Sequence, residues 1–356
     1  MDKILDFIAA IAEFGRRVLV LYHPVTLREK GISWSIGLII VTLSVIFSIL
    51  AQIWSQEPDH FDVTANAASH AAVAPEKLVV GYRTAATLQQ VANILLTKPG
   101  GYLSNDVMPP TVFLDNMPNW EYGVLVQVRD LARALRNDMG RSQTQSTENK
   151  HLAEAEPKFN FSNDAWLFPA SETEYQSGID HLDQYLLQLR DTNQTQTQFF
   201  ARSDNLREWL SLVEKRLGSL SQRLSASVGQ ERINTDLAGD SNAKQATQSA
   251  QSQMVKTPWL EIDDVFFEAR GSVFALVHFL KAVEIDFHEV LIKKNAVVSI
   301  RQIIRELEAT QGTIWSPIVM NGSGFGITAN YSLVMASYIS RANAAVIDLR
   351  SLLTSG

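Results

Sequence analysis

The sequence predicts an all-α protein: an N-terminal interfacial amphipathic helix, one transmembrane helix, then an exported multi-helix bundle with heptad-spaced helices and two long irregular loops. Three patterns carry that expectation. Apolar residues recur at alternating steps of three and four through most of the chain beyond residue 120. Strand-like alternation of period two is nearly absent. A single long run without charge lies near the N-terminus. With 46% hydrophobic and 19% charged residues among 356, collagen-like, fully disordered and polytopic membrane classes are excluded.

The first element is amphipathic. On a helical wheel, Asp2, Lys3, Asp6, Glu13, Arg16 and Arg17 share one arc, and Ile4, Phe7, Ile8, Ile11, Phe14 and Val18 occupy the rest. Such a helix lies along a membrane face or docks against another membrane subunit. From Gly31 to Gln56 no residue is charged, and as a helix this run reaches about 39 Å, enough for a hydrocarbon core of roughly 30 Å. Trp34 and Trp54 bracket the run and suit the two interfaces, with Ile39, Leu43 and Phe47 between them as lipid-facing anchors. Lys3, Arg16, Arg17, Arg28 and Lys30 precede the run, and no Lys or Arg follows until Lys77, which places the N-terminus in the cytoplasm. The apolar stretch is too long, and the small-residue sites too distant, for a cleaved signal peptide. The expected organisation is therefore a cytoplasmic segment 1–33, a span 34–54, a juxtamembrane linker 55–75 and a periplasmic domain 76–356.

Within that domain the spacing is regular. Val124, Val128, Leu131, Leu135 and Met139 form one stripe; Tyr175, Ile179, Leu182, Leu186 and Leu189 form another. Leu206 to Leu224, Ile262 to Phe287 and Val297 to Leu307 repeat it, and the last block runs through Met335, Tyr338, Ala342, Ala345, Leu349 and Leu352. The polar tracts 140–158 and 229–257 read as surface loops or linkers, because they carry too little apolar surface to offset ordering. Pro99-Gly100-Gly101 ends a helix, and prolines at 109, 110 and 118 keep the following loop irregular. Asn321 to Gly326 breaks the chain again. Residues 88–113 and 300–325 share a helix, glycine and loop pattern that fits either an old duplication or chance in a Leu-rich chain.

The stretches GYRTAATLQQVANILLTKPGGYLSNDVMPP (81–110), NMPNWEYGVLVQVRDLARALRND (116–138) and RLGSLSQRLSASVG (216–229) resemble an uncharacterised proteobacterial membrane-anchored family, a domain of unknown function numbered twenty-three thirty-three. The resemblance implies a bacterial inner-membrane protein with a periplasmic domain. It implies no substrate, cofactor or catalytic residue.

Chemistry-bearing motifs are sparse. No G-x-S-x-G elbow, H-E-x-x-H zinc motif or Walker loop occurs. The absence of Cys removes disulfides, thiolate metal sites and thiol nucleophiles. A net charge of −7 disfavours nucleic acid as a partner. No catalytic residue, cofactor or metal is expected; Glu284 and His288 read as surface charge, and His278 as a satisfied core histidine. The candidate partner-binding set is the loop cluster Met108, Phe113, Met117 and Trp120 with the basic stripe Arg129, Arg133 and Arg136. The expected partners are the lipid bilayer and an envelope protein or a second copy. The leading expectation is a non-enzymatic scaffold or accessory of an envelope assembly. A periplasmic ligand-binding or sensing module is the alternative, and an envelope-polymer hydrolase using Asp106 and Asp115 the third.

Overall fold

The computed structural model describes residues 13, 16–141, 148–191, 197–233, 252–316 and 318–354, and these residues are overwhelmingly helical. Two compact units are present, residues 1–54 and 55–356. In the first, residues 16–21 are helical, α1 covers Pro24–Lys30 and α2 covers Ile32–Trp54. Most of the expected amphipathic helix, residues 1–12, 14 and 15, lies outside the described residues. Gly31 separates α1 from α2 at φ 84°, a conformation that costs glycine little. α2 is long and apolar enough to cross a membrane and has no buried residue. Within it, Trp34, Ile39, Leu43, Phe47 and Trp54 are all exposed or half-exposed.

The second unit contains α3 (Val63–Ala71), α4 (Tyr82–Thr97), α5 (Asn116–Ala134), α6 (Lys150–Phe159), α7 (Ser171–Arg190), α8 (Ser203–Ser225), α9 (Ile262–Asp286), α10 (His288–Lys293), α11 (Val297–Glu308) and α12 (Tyr331–Thr354). Cross-links between neighbours show them running up and down. Asp130 meets Arg216 while Arg223 meets Glu268, and Glu284 meets Arg301 while Lys281 meets Glu308. Helices α5, α7, α9 and α12 therefore start at one end of the bundle, where α4, α6, α8 and α11 finish. The described residues of the connections 98–115, 160–170, 226–261 and 309–330 gather there.

The core follows the heptad stripes. Every residue of the stripes through Val124, Tyr175, Leu206 and Ile262 named above is buried. In α12 the phase differs. Met335, Ile339, Ala342, Val346, Leu349 and Leu353 are buried, whereas Tyr338, Ala345 and Leu352 are half-buried, because α12 lies against α8 on one side and α11 on the other. At the α5–α9 crossing the backbones nearly touch. A Cβ on Gly271 would lie 1.9 Å from the Trp120 carbonyl, and one on Gly123 would lie 2.0 Å from that of Glu268. Glycine at both positions sets this approach.

Three sequence expectations change here. The tract 140–158 contains α6, whose Leu152, Ala155 and Phe159 are buried at one-turn spacing, too short a stripe to stand out among polar neighbours; residues 142–147 lie outside the described residues. The tract 229–257 contributes two antiparallel strands, β1 (Gln230–Ile233) and β2 (Ser252–Val255), and residues 234–251 lie outside the described residues. Residues 55–75, expected as a linker, hold α3 and bury Val63, Ala67 and Ala71 against the bundle.

Candidate functional site

The seven candidate partner-binding residues separate into three groups. Met108 and Phe113 are exposed on the 98–115 loop, as the sequence suggested. Met117 and Trp120 instead face inward from the first turns of α5 and are buried, Trp120 beside Phe274 at 5.2 Å between ring centroids. The arginines are largely occupied by their own fold. Arg129 donates to the carbonyls of Phe159 (2.7 Å) and Phe161 (2.8 Å) and so closes the end of α6. Arg136 binds Glu148 and Glu156, each at 3.0 Å, while Arg133 stays mostly exposed 3.8 Å from Glu156. Sequence spacing placed these arginines on one face but could not show that α6 supplies the carboxylates across from them.

The loop that bears Phe113 is fastened from beneath. The Glu121 carboxylate accepts from the backbone N–H groups of Leu103 and Ser104, both at 2.9 Å, and pairs with Lys98 at 2.6 Å, with both side chains fully buried. Burial pushes the Glu121 carboxyl above its usual range, and the Lys98 charge pulls it back. Asp115 caps α5 through the N–H of Asn116, and Asp106 is exposed. Asp115 also helps hold the Asp264 carboxyl up at about 6; burial is the larger cause.

The chain immediately after α2 forms a second built feature. Arg270, almost fully buried on α9, grips both Glu57 carboxylate oxygens at 2.6 and 2.5 Å through Nε and Nη2 and donates from Nη1 to the carbonyls of Thr310 and Gly312. Two turns further along α9, His278 Nδ1 donates to the Phe274 carbonyl (2.7 Å), leaving Nε2 to accept the Phe61 N–H at 3.2 Å. The His278 ring stacks on Phe61 at 4.1 Å and on His60 at 4.9 Å. Burial lowers the His278 pKa to about 4, so the ring is neutral at physiological pH and able to accept. His278 is thus a satisfied core histidine whose partner, 217 residues away in sequence, no local pattern could reveal.

A cleft of about 400 Å³ opens between α5, α8 and α9, lined by Tyr122, Gln127, Lys215, Arg216, Arg223 and Glu268 among others. Arg216 forks onto Asp130 at 2.7 and 3.1 Å, and Arg223 onto Glu268. Gln127 is buried, and its side-chain nitrogen has no hydrogen-bond partner. An anionic group entering the cleft would meet the Gln127 amide donor and Lys215, beside two guanidinium groups whose forks are already engaged by Asp130 and Glu268. Sequence reading missed this site because its residues come from three separate helices. Among the described residues no group of three or more His, Asp or Glu could hold a metal ion.

Fold and sites together define an all-α bundle that follows a single long apolar helix. Residues 27–356 match the family described as "Uncharacterized protein conserved in bacteria (DUF2333)", and the chain belongs to that family. No curated protein and no solved structure matches it.

Proposed function

We propose that this is a single-pass protein of a bacterial inner membrane, with residues 1–33 cytoplasmic, 34–54 spanning and the remainder periplasmic, and that it acts as a non-enzymatic scaffold or accessory of an envelope assembly. The observation that carries this reading is the clamp on residues 57–61. Only Ser55 and Gln56 separate α2 from a segment held by Arg270 and His278. A long flexible tether would let the folded domain roam; a link of two residues keeps it close to whatever α2 enters. The asymmetry of Lys and Arg about α2 supports the orientation.

Two measurements test it. A reporter enzyme fused after Gly356 is expected to be active only if exported, and activity confined to the cytoplasm refutes the topology. A photoreactive residue at Arg133, the mostly exposed member of the basic stripe, is expected to crosslink one discrete envelope protein in intact cells; a pattern unchanged from a probe at the buried Met117 refutes the partner role of that face.

The cleft favours a second reading, a periplasmic module that binds an anionic ligand. It predicts a rise in melting temperature with small carboxylates or phosphates that is lost in Arg216→Met. No shift across such a panel removes it.

A further inference from the structure

Exposed aromatic residues are sorted to one end of the bundle. Among the described residues after Trp54, the exposed Trp and Phe side chains are Phe113, Trp166, Phe168, Trp259, Trp315 and Phe325. All six lie in the four connections at the end where α5, α7, α9 and α12 begin. Phe168 and Trp315 are 93% and 90% exposed, and Phe168 holds its ring outside in a left-handed backbone conformation, φ 45°. Elsewhere on the bundle the exposed large apolar residues are scattered aliphatics such as Val80, Ile292 and Val298, with Tyr122 at the cleft.

The four connections are tied into one surface. Tyr102 donates to the Asn163 carbonyl (2.9 Å) and Asn105 to that of Ala165 (2.8 Å), joining the first two. Asn119, in the first turn of α5, donates to Asp264 at 2.8 Å, holding the end of the first loop near the start of α9, and Asn321 donates to the Ser227 carbonyl at 3.4 Å. Residues 309–330 contain no charged residue at all. The charges flanking the aromatics are mostly acidic, Asp106, Asp115, Asp164, Glu261, Asp263 and Asp264, with the exposed Lys256 three residues before Trp259 the basic exception. Monomeric soluble proteins rarely leave such a concentration of apolar surface in water.

Chain length says what covers it. Glu57 is fixed on Arg270, eight residues from the start of α9 and so about 12 Å from that end along the helix, whereas the other end of α9 is about 24 Å away. From Trp54 to Glu57 there are three Cα steps, at most about 11 Å. The chain then runs from Arg270 towards His278, away from the aromatic end.

We infer that this end is a membrane-docking face, whose Trp and Phe side chains seat in the interfacial layer of the bilayer that α2 crosses. The inference rests on the proposed reading of α2 as a span. Trp favours that layer, where its apolar ring body meets lipid and its N–H meets headgroups, and Phe adds apolar surface to an interfacial face. Because acidic residues outnumber the one exposed lysine around the aromatics, attachment is apolar: it needs no anionic lipid and resists salt.

The cysteine-free sequence allows a direct test on the full chain. Single cysteines replacing Trp259, Trp315 and Phe325 carry a fluorophore, with Ile40→Cys in α2 and Ile292→Cys at the opposite end as references. The protein is reconstituted in phosphatidylcholine vesicles containing either a headgroup-region quencher lipid, read at the loop sites and 292, or an acyl-chain quencher lipid, read at the 40 label. Labels at 259, 315 and 325 are expected to be quenched at least about fivefold more than that at 292, with no loss in high salt. Quenching at the three loop sites no greater than at 292, with the 40 label quenched, overturns the docking face and leaves the span standing. If the 40 label also escapes, the span itself fails and the inference with it. Concentration-dependent shielding of the three sites from a soluble quencher in detergent, without vesicles, overturns it in favour of contact between copies.

Discussion

Acidification is expected to loosen the segment that follows the apolar helix, and His278 supplies the quantity. In the fold its ring must be neutral for Nε2 to accept the Phe61 N–H, and burial holds its pKa at about 4, against about 6.5 in an unfolded chain. The folded pKa is depressed, so the unfolded state takes up the proton first, and stability falls as pH drops from about 6.5 to about 4. The full difference corresponds to roughly 3 kcal/mol, of which about 2 kcal/mol is already lost at pH 5. Burial also lowers the His60 pKa beside it, which steepens the same loss. The assay is denaturant unfolding of the full chain in detergent between pH 7.5 and 4.5, with hydrogen exchange at the Phe61 amide as a local readout. In His278→Gln the slope over that range is expected to fall by about 2 kcal/mol, after a pH-independent cost of about 1–3 kcal/mol for the disturbed hydrogen bonds. Equal pH slopes in the two proteins would refute the reasoning.

Other consequences can be read from single sites. Arg270→Met leaves the Glu57 carboxylate without its fork and two carbonyls without donors, so a loss of about 3–5 kcal/mol is expected; Glu57→Gln in the same protein should restore part of it in a double-mutant cycle. Gly271→Ala drives a methyl group to 1.9 Å from the Trp120 carbonyl, and since both partners are helix backbone the melting transition is expected to fall by about 3 kcal/mol or more. Asp264, held up at about 6 chiefly by burial, destabilises the fold once ionised, so Asp264→Asn is expected to gain up to about 1 kcal/mol at pH 7.5 after solvent screening, and nothing near pH 3.5. Thermal unfolding at the two pH values decides it.

Much of the fold is legible because heptad spacing is a local signal: Tyr175, Ile179, Leu182, Leu186 and Leu189 declare a buried face without reference to any other helix. The same locality explains the misreadings. In α12 both candidate stripes, through Tyr338 or through Ile339, satisfy the spacing, and only the positions of α8 and α11 choose between them. The α6 stripe spans little more than two turns within a polar tract, below what periodicity can separate from chance. Met117 and Trp120 follow a proline-rich loop and looked like part of its surface. Asp115 starts a helix there, and one turn of α5 rotates both side chains into the core.

The sequence by itself determined the helical class, the apolar helix near the N-terminus and the charge asymmetry about it, because each depends on residues close together in the chain. Tertiary structure decided which groups meet: Glu57 with Arg270, Phe61 with His278, Lys98 with Glu121, and six exposed aromatics at one end. Those pairings depend on how antiparallel helices bring distant turns level with one another. Helix register across a bundle is set by packing of side chains from several helices at once, and no single stretch of sequence carries it.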